Sequence, residues 1–439
     1  MRCFRFIVTL SLAFAPLSVA QVGLPSVRLP APGVGLPSLP ATDPSLQPKL
    51  DAELRGSDLT GLRRSRIRTL LRTHRDSVEA DDHGNPFVRG ELVLLPSSGE
   101  ALRAVEAAGL TIVRESTLDA LGIRIVLLHI SSGTLGALER LRAADPEGVY
   151  DLNHIYLGSG KQAQSVPQVH EAPAADAGAA GGSSTARLGL IDSGVDAEHE
   201  VFRTATLHPH GCSGRGSPDS HGTAVASLMV GSVADFHGAA PGAELYAVDV
   251  YCGSPTGGSV AAVAEAFEWL AQQRVPVINV SLVGPDNHVL GVIVERLIAR
   301  GHIIVAAVGN DGPAAPPLFP AAWPGVIGVT AVDARRRVLV EAGRGVQVRF
   351  AAPGAQMVAA RLPSGYALVR GTSFAAPIVA GLLSLKLQAI DKVRADAAVA
   401  ALAGEAVDLG APGPDVVYGY GLVGESLRRQ PALAAFRVD

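Results

Sequence analysis

The second half of the chain alternates continuous apolar runs with segments of helical periodicity. Five apolar runs predict strands, at residues 188–191, 245–250, 277–282, 303–308 and 326–332. Helical patterns lie between them, at about 221–230, 260–272 and 289–299. Continuous apolar strands separated by helices are typical of a parallel sheet that helices cover on both faces. We therefore predict an α/β domain over residues 186–430, with ligand sites at the carboxyl ends of its strands.

A smaller unit is predicted upstream of this domain. Residues 87–157 follow the order strand, helix, strand, strand, helix, strand, which is the split β-α-β motif of a ferredoxin-like α+β domain. Residues 47–80 are predicted to be helical. An arginine cluster there predicts a solvated helix face, and its members are Arg63, Arg64, Arg66, Arg68 and Arg72. Residues 158–185 are rich in Gly, Ala and Ser, which predicts a flexible linker open to proteolysis.

The start of the chain has the layout of a secretory signal peptide. Residues 1–20 comprise a short basic start, an apolar run and small residues before Gln21. The apolar run is too short to span a membrane comfortably. Residues 21–46 repeat Leu-Pro motifs and predict a Pro-rich disordered leader. We predict an exported protein without a transmembrane anchor, located in the periplasm or the medium.

Composition and cysteine usage agree with an exported globular protein. Hydrophobic residues make up 48% of the chain and charged residues 18%, and the net charge of −4 gives no basic footprint for nucleic acid. Without the signal peptide the chain keeps only Cys212 and Cys252, which we predict to form a disulfide. Two unpaired buried thiols are the alternative. His199, His208 and His210 fit no closed zinc set, so we predict no metal and no cofactor.

Three polar residues stand at strand ends or helix starts. Asp192 ends the first predicted strand, His221 opens a helix, and Ser373 opens an apolar helix predicted over residues 374–390. At a helix N-terminus, unpaired backbone N–H groups favour developing negative charge, which suits a nucleophile. The alternative is that Ser373 is a simple helix cap. A carboxylate, an imidazole and a hydroxyl on one edge of a parallel sheet can converge as orienter, base and nucleophile.

The segments around these three residues resemble the Asp, His and Ser signatures of the subtilisin-like (subtilase) serine proteases, in that family's order. The resemblance covers residues 186–430. It implies a subtilisin-like fold, a serine endopeptidase and protein or peptide substrates. Ser373 would attack the scissile carbonyl, His221 would transfer its proton, and Asp192 would fix the histidine tautomer. Asn310 matches the family's oxyanion asparagine, whereas a turn asparagine is the alternative.

The resemblance also implies that substrate binds as an added β-strand between two exposed edges. One edge would consist of Thr256, Gly257 and Gly258. The other edge, which also forms a wall of the specificity pocket, would consist of Ser281, Leu282, Val283 and Gly284. The opposite wall would consist of Ala306, Ala307, Val308 and Gly309. This lining is apolar and predicts an uncharged substrate side chain. Val283 stands where the family often has glycine, which would tighten the pocket entrance.

Residues 87–157 then resemble the family's ferredoxin-like propeptide, an intramolecular chaperone and inhibitor that leaves its C-terminal tail in the cleft. The segment 153–155 (NHI) is similar to that propeptide's closing motif. The resemblance therefore implies a zymogen that cleaves itself between Leu157 and Gln164. One alternative is a catalytically silent peptide-binding protein with the same fold, and another is a protease restricted to one partner. An α/β-hydrolase esterase is disfavoured because the chain has no Gly-x-Ser-x-Gly elbow and its acid precedes its histidine.

Overall fold

The structure, a computed structural model, describes residues 58–96, 110–158, 161–162, 186–214, 217–233 and 236–428, together with Leu54, Leu102 and Val105. The predicted signal peptide, the Pro-rich leader, part of the helical segment at 47–80 and most of the linker at 158–185 lie outside these residues. Among the described residues, no helix has the length and apolarity that a membrane span requires.

The N-terminal part of the described chain contains helices and an antiparallel sheet. Its elements in chain order are α1 (Leu59–Thr73), β1 (Val78–Ala80), β2 (Pro86–Leu95), β3 (Thr111–Leu118), β4 (Ile123–His129), α2 (Thr134–Ala144) and β5 (Val149–His154). The strands pair in the order β3-β4-β2-β5, and β1 pairs with the start of β2. Leu102 and Val105, between β2 and β3, are also helical. This strand order is that of a ferredoxin-like unit.

The chain continues through short strands into the main domain. Its strands are β6 (Leu157–Gly158), β7 (Lys161–Gln162), β8 (Arg187–Asp192), β9 (Thr206–Gly211), β10 (Ser232–Val233), β11 (Phe236–His237), β12 (Glu244–Asp249), β13 (Val277–Val280), β14 (Leu282–Val283), β15 (Ile303–Ala307), β16 (Ile327–Val332), β17 (Val348–Pro353), β18 (Ala355–Ala360) and β19 (Tyr366–Arg370). Its helices are α3 (Ser220–Val230), α4 (Val260–Gln272), α5 (His288–Arg300), α6 (Thr372–Ser384) and α7 (Lys392–Glu405).

Seven of these strands form one parallel sheet in the order β17-β16-β15-β13-β8-β12-β9. Strand β8 lies between β12 on one side and β13 on the other, so the chain order switches direction there. Ligands of open parallel sheets bind outside the carboxyl ends of the strands at such a switch point. Asp192 is the last residue of β8 and therefore lies at this position.

Alternating side chains of the sheet are buried on both faces. Leu188 and Leu190 of β8 belong to a core cluster that also contains α3, α6 and part of α7, whereas Ile191 belongs to a second cluster with α4 and α5. This alternation explains the continuous apolar pattern of the strands, because both faces are covered by helices. From residue 186 onward, the described chain thus forms three layers, a parallel sheet with helices on both faces. This is the α/β architecture predicted from the sequence.

The N-terminal sheet packs against the outer side of α4 and α5. Val93 and Ile125 of the sheet share a core cluster with Phe267 of α4 and Leu297 of α5. The other face of the sheet forms a separate core with α2, in which Leu92 is fully buried. One sheet therefore supplies both the core of its own unit and the contact with the main domain.

Two expectations about helices require correction. The apolar helix predicted over residues 374–390 ends at Ser384, because the chain turns there and Asp391 caps the separate helix α7 by accepting from the Arg394 N–H. The arginine cluster is not uniformly solvated. The Arg63 side chain is only 12% exposed and pairs with Asp311 at 3.5 Å, whereas the other four arginines of the cluster are exposed.

Gly381 of α6 provides a test of how closely the helical layer is packed. A Cβ atom at this position would lie 2.5 Å from the Cβ of Ala239. We expect Gly381→Ala to lower the free energy of unfolding by about 1–3 kcal/mol, because neither element can move without disturbing the core. Thermal unfolding would measure the change.

Gly404→Ala in α7 is the matched control for this substitution. Apart from its chain neighbours and the nearby backbone of its own helix, no heavy atom of the described residues lies within 4 Å of a Cβ atom at Gly404. Alanine is favoured over glycine in helices by up to about 1 kcal/mol, so the unfolding midpoint should stay unchanged or rise. Equal midpoints for the two variants would contradict the close contact between α6 and Ala239.

Candidate active site

Asp192 and His221 form a buried hydrogen-bonded pair. The Nδ1 atom of His221 lies 2.8 Å from Oδ1 and 3.0 Å from Oδ2 of Asp192. The carboxylate is 2% exposed and the histidine side chain 16% exposed. Because a carboxylate at Nδ1 accepts that nitrogen's proton in a hydrogen bond, the tautomer with Nε2 unprotonated is favoured. Nε2 is buried and has no hydrogen-bond partner within the part of the chain that the structure describes.

Ser193 connects this pair to a second carboxylate, that of Asp219. The Ser193 backbone N–H donates to Asp192 Oδ1 at 2.6 Å. Its Oγ lies 3.1 Å from Asp192 Oδ1 and 2.9 Å from Asp219 Oδ1, and accepts from the Gly222 N–H at 3.0 Å. Asp219 is also the N-cap of α3 and accepts from the His221 N–H at 2.8 Å. The start of α3 is therefore fixed to the end of β8, which sets the position of the imidazole.

The two carboxylates change the basicity of His221. Burial acts to lower its pKa, whereas the charge of Asp192, the hydrogen bond to Asp192 and the charge of Asp219 act to raise it. The net effect raises the pKa of His221 above its ordinary value. The imidazole is thus a stronger base than a free histidine.

Ser373 is the second residue of α6 and is fully buried. Gly371, which precedes the helix, has a φ of 139°, a region that side chains disfavour, so the sharp turn before Ser373 requires glycine. Pro377 has no N–H and cannot make the helical bond to the carbonyl of Ser373. The Ser281 hydroxyl donates to this carbonyl instead, at 3.2 Å, and the Ser373 hydroxyl donates to Ser281 O at 3.4 Å.

Asn310 is held against the same helix start. Its side-chain Oδ1 accepts from the Thr372 N–H at 3.1 Å, and the Thr372 hydroxyl accepts from the Gly309 N–H at 3.2 Å. With Oδ1 used as an acceptor, the amide NH₂ of Asn310 is the end that can donate. The rings of His221 and Phe374 lie 5.4 Å apart, so the imidazole is beside the residue that follows Ser373. The four residues predicted as catalytic or oxyanion-binding are thus brought to one region.

A segment of the chain's own N-terminal part lies along this site. Residues 155–158, here called the tail, follow β5 directly. Ile155 forms a β-bridge with Ser259, and the Tyr156 N–H donates to Gly258 O at 2.8 Å. Leu157 and Gly158 pair antiparallel with Val283 and Leu282. The tail is therefore a strand between two main-domain segments.

The described chain resumes on the other side of Ser373. Lys161 and Gln162 pair antiparallel with Arg370 and Val369 of β19, the strand that leads into Gly371 and Ser373. The tail is thus paired beside Ser281, and β7 with the strand that precedes Ser373. Only Ser159 and Gly160 separate them in the sequence.

The residues predicted for the two substrate edges differ in their contacts with the tail. Leu282 and Val283 pair with it, and Gly258 accepts a hydrogen bond from it. Thr256 and Gly257 belong instead to a turn in which both donate to Ser254. The predicted opposite wall, residues 306–309, is buried. The role of all these residues in binding substrate stays a prediction.

Cys212 and Cys252 form a disulfide with an S–S distance of 2.07 Å. Their sulfurs and the Asp249 carboxylate make up the one group of potential metal ligands found within the described ranges. Because both sulfurs are bonded to each other, they are not thiolates. Asp249 Oδ1 accepts from the N–H groups of Tyr251 and Cys252, which fixes the loop that leads to Gly258.

Sequence reasoning missed several residues that support the site. Ser193 and Asp219 are not among the predicted site residues, although Asp219 precedes a helix start as a typical N-cap. No sequence motif indicates the role of Thr372. The same holds for the two hydrogen bonds between Ser281 and Ser373. Asp311, which lies next to Asn310 and binds Arg63, could not be connected to a helix far away in the sequence.

Comparison with known proteins identifies the family of this site. Residues 183–421 match the profile described as the subtilase family. Subtilisin DY from Bacillus licheniformis is 31% identical over 245 residues, covering 54% of this chain and 88% of that protein. Subtilisin E from Bacillus subtilis (strain 168) is 33% identical over 258 residues, covering 55% of this chain and 66% of that protein.

Solved structures agree on the fold. The crystal structure of fervidolysin from Fervidobacterium pennivorans, a keratinolytic enzyme related to subtilisin, has a TM-score of 0.65 at 20% identity, covering 80% of this chain and 62% of that one. The prenylagaramide maturation protease PagA has a TM-score of 0.50 at 25% identity, covering 57% of this chain and 94% of that one. The predicted family and the subtilisin-like fold are therefore confirmed. The chain belongs to the subtilase family and is a serine endopeptidase.

Proposed function

We propose that this chain is an exported serine endopeptidase made as a zymogen that cleaves itself, with Asp192, His221 and Ser373 as its catalytic triad. The Ser373 hydroxyl attacks the scissile carbonyl, and Nε2 of His221 takes its proton and later returns it to the leaving amine. Asp192 holds the imidazole by Nδ1, at 2.8 Å, and stabilises its protonated form. The raised pKa of His221 fits this role, because the base must accept a proton near neutral pH.

The proposed oxyanion site is formed by the Asn310 amide and the backbone N–H of Ser373. Both are fixed before the reaction, Asn310 by the Thr372 N–H and Ser373 by its position at the start of α6. Donors that need no rearrangement stabilise the developing oxyanion strongly. The N-terminus of α6 adds a favourable dipole for the same charge.

The observation that carries the zymogen proposal is the position of the tail. It is held as an added strand between Gly258 and β14, the mode by which an extended peptide binds an exposed edge. The Tyr156 side chain is fully buried there, and its hydroxyl donates to Pro285 O at 2.7 Å. A segment bound in this way both presents a bond to Ser373 and blocks other substrates.

The pairing limits where the cleaved bond can lie. Leu157 pairs with Val283 and Gly158 with Leu282, next to Ser281, whose carbonyl accepts from the Ser373 hydroxyl. Lys161 pairs with Arg370, three residues before Ser373. The proposed cleavage therefore falls between Gly158 and Lys161, inside the interval from Leu157 to Gln164 expected from the sequence.

The N-terminal unit is proposed as the chaperone and inhibitor of the main domain, because its side chains cap two of that domain's helices. Asp151 accepts from the His288 N–H at the start of α5, at 2.8 Å. Asn153 accepts from the Ala261 N–H at the start of α4, at 3.0 Å. Unpaired N–H groups at helix starts are costly when buried, so these caps favour folding of α4 and α5.

Export is proposed from the signal-peptide layout of residues 1–20 and is consistent with the disulfide. One relative is named the minor extracellular protease Epr of Bacillus subtilis (strain 168), and it is 29% identical over 242 residues covering 37% of its length.

The first test compares the two serines of the site. We expect the wild-type chain to yield a fragment whose first residue is Ser159, Gly160 or Lys161, whereas Ser373→Ala stays in one piece. Ser193→Ala is the matched control, since Ser193 contacts Asp192 on the Nδ1 side of the imidazole. It should retain self-cleavage, slowed by about 10- to 100-fold through the lost hydrogen bonds to charged groups. Intact mass and N-terminal sequencing measure the outcome.

If Ser193→Ala abolished cleavage and Ser373→Ala did not, the assigned nucleophile would be wrong. Persistence of the wild-type chain in one piece under folding conditions would instead favour the silent peptide-binding alternative.

The second test concerns Asn310. We expect Asn310→Ala to lower kcat of the mature enzyme on a peptide substrate by ~100- to ~1,000-fold, because one oxyanion donor is lost. KM should change little, since the contact is made in the transition state. A fall in affinity with kcat preserved would assign Asn310 to substrate binding instead.

The third test uses the pH dependence of kcat/KM. Catalysis needs neutral His221, so activity rises with pH through the pKa of His221, which lies above its ordinary value. Asp219→Asn keeps the oxygen that caps α3 but removes a charge that stabilises the imidazolium. The acid limb of the profile should therefore move to lower pH. An unmoved limb would mean that Asp219 acts on the structure alone.

A further inference from the structure

Helix α1 lies outside the ferredoxin-like sheet but contacts both the tail and the main domain. Near its C-terminal end, Leu70 and Leu71 pack on a small core made of Val78, Val88 and Ile155, and Leu157 of the tail packs on the same core. Its N-terminal end reaches the loop that follows Asn310. One helix thus covers the tail and extends to the oxyanion loop.

The contacts at the N-terminal end converge on Asp311. The Arg63 guanidinium Nε lies 3.5 Å from Asp311 Oδ2, and the Thr60 hydroxyl donates to Asp311 O at 3.3 Å. Leu59 lies against Gly312, since a Cβ atom on that glycine would be 3.4 Å from Leu59 Cδ1. Three residues in the first two turns of α1 therefore contact two successive residues of the loop.

The ion pair is largely removed from solvent. The side chains of Arg63 and Asp311 are 12% and 15% exposed. Burial lowers the pKa of Arg63, and the Asp311 charge opposes that shift. Arg66 of α1 also interacts electrostatically with both residues. A buried pair of this kind is costly to break from one side, because the remaining charge loses its partner.

We propose that α1 is a second inhibitory element of the leader: it fastens the tail in the cleft through the Arg63–Asp311 ion pair and delays release of the leader after the tail bond is cut. This inference rests on the proposed self-processing. Cutting one peptide bond removes none of the contacts of α1, so the cleaved leader stays bound until α1 separates from Asp311. Activation then has two steps, chemistry at Ser373 followed by release of α1.

Arg64 offers a matched control on the same helix. It is one residue further along, its side chain is 62% exposed, and it pairs at 3.4 Å with Asp58 of its own segment. Arg64→Ala therefore removes the same side-chain type and charge from α1 without touching Asp311. Both positions leave with the leader, so every variant yields the same mature enzyme.

The experiment measures two time courses in the full chain, and it compares the wild type with Arg63→Ala and Arg64→Ala. Intact mass measures the rate of self-cleavage, and hydrolysis of a fluorogenic peptide measures the appearance of activity. We expect similar cleavage rates in all three. The lag between cleavage and activity should shorten at least about tenfold in Arg63→Ala and stay at the wild-type value in Arg64→Ala, because losing one partner of a buried pair speeds dissociation.

A second measurement needs no cleavage. In the Ser373→Ala background, hydrogen exchange of the amides in α1 should be faster with Arg63→Ala than with Arg64→Ala, while the amides of β2 should be equally protected in both. The β2 amides report that the N-terminal sheet is folded.

Equal lags and equal α1 exchange in the two arginine variants would overturn the proposal. Absence of cleavage and activity in the wild type would contradict the proposed function instead. In that case, the hydrogen exchange of the α1 amides alone would test the contact between Arg63 and Asp311.

Discussion

The pairing of the tail with β14 is the interaction on which the rest of this structure depends. Backbone groups of Leu282 and Val283 lie on an exposed edge beside Ser373, and such groups require partners when they are buried. The tail supplies them from the same chain. In the proposed zymogen, the edge that would bind an extended substrate is thus occupied by a segment of the same chain. Proteolysis and inhibition would then use the same binding mode.

The register of that pairing is fixed at a distance by the N-terminal unit. Its sheet rests on α4 and α5, and Asp151 and Asn153 cap the starts of these helices only two to four residues before the tail begins. A slip of the tail by one residue would turn Tyr156 out of its buried position and change the pairing of Leu157 and Gly158 with β14. In the proposed self-cleavage, the caps would therefore influence which bond is presented to Ser373.

The elements that could be predicted from the sequence are those that depend on short runs of neighbouring residues. Runs such as 188–191 are apolar because both faces of the sheet are covered, and the helix start at Ser373 follows from small residues before an apolar segment. Strand β9 carries no such signal, since it is an edge strand whose side chains are largely exposed. Helix α7 buries only three residues and was likewise missed. The network of Ser193 and Asp219 depends on distances across two elements, which no single motif encodes.

Arg63 shows most clearly where sequence reasoning ends. Five arginines lie close together in one short helix, and nothing in the sequence distinguishes one from another. A solvated face is therefore the reasonable expectation for all of them. Only the docking of α1 beside the loop at Asn310 and Asp311 distinguishes Arg63 from its neighbours, because it brings a carboxylate 248 positions away to within 3.5 Å. An exposed arginine contributes little to stability. A largely buried arginine such as Arg63 is costly to separate from Asp311, because each charge would then lose its partner.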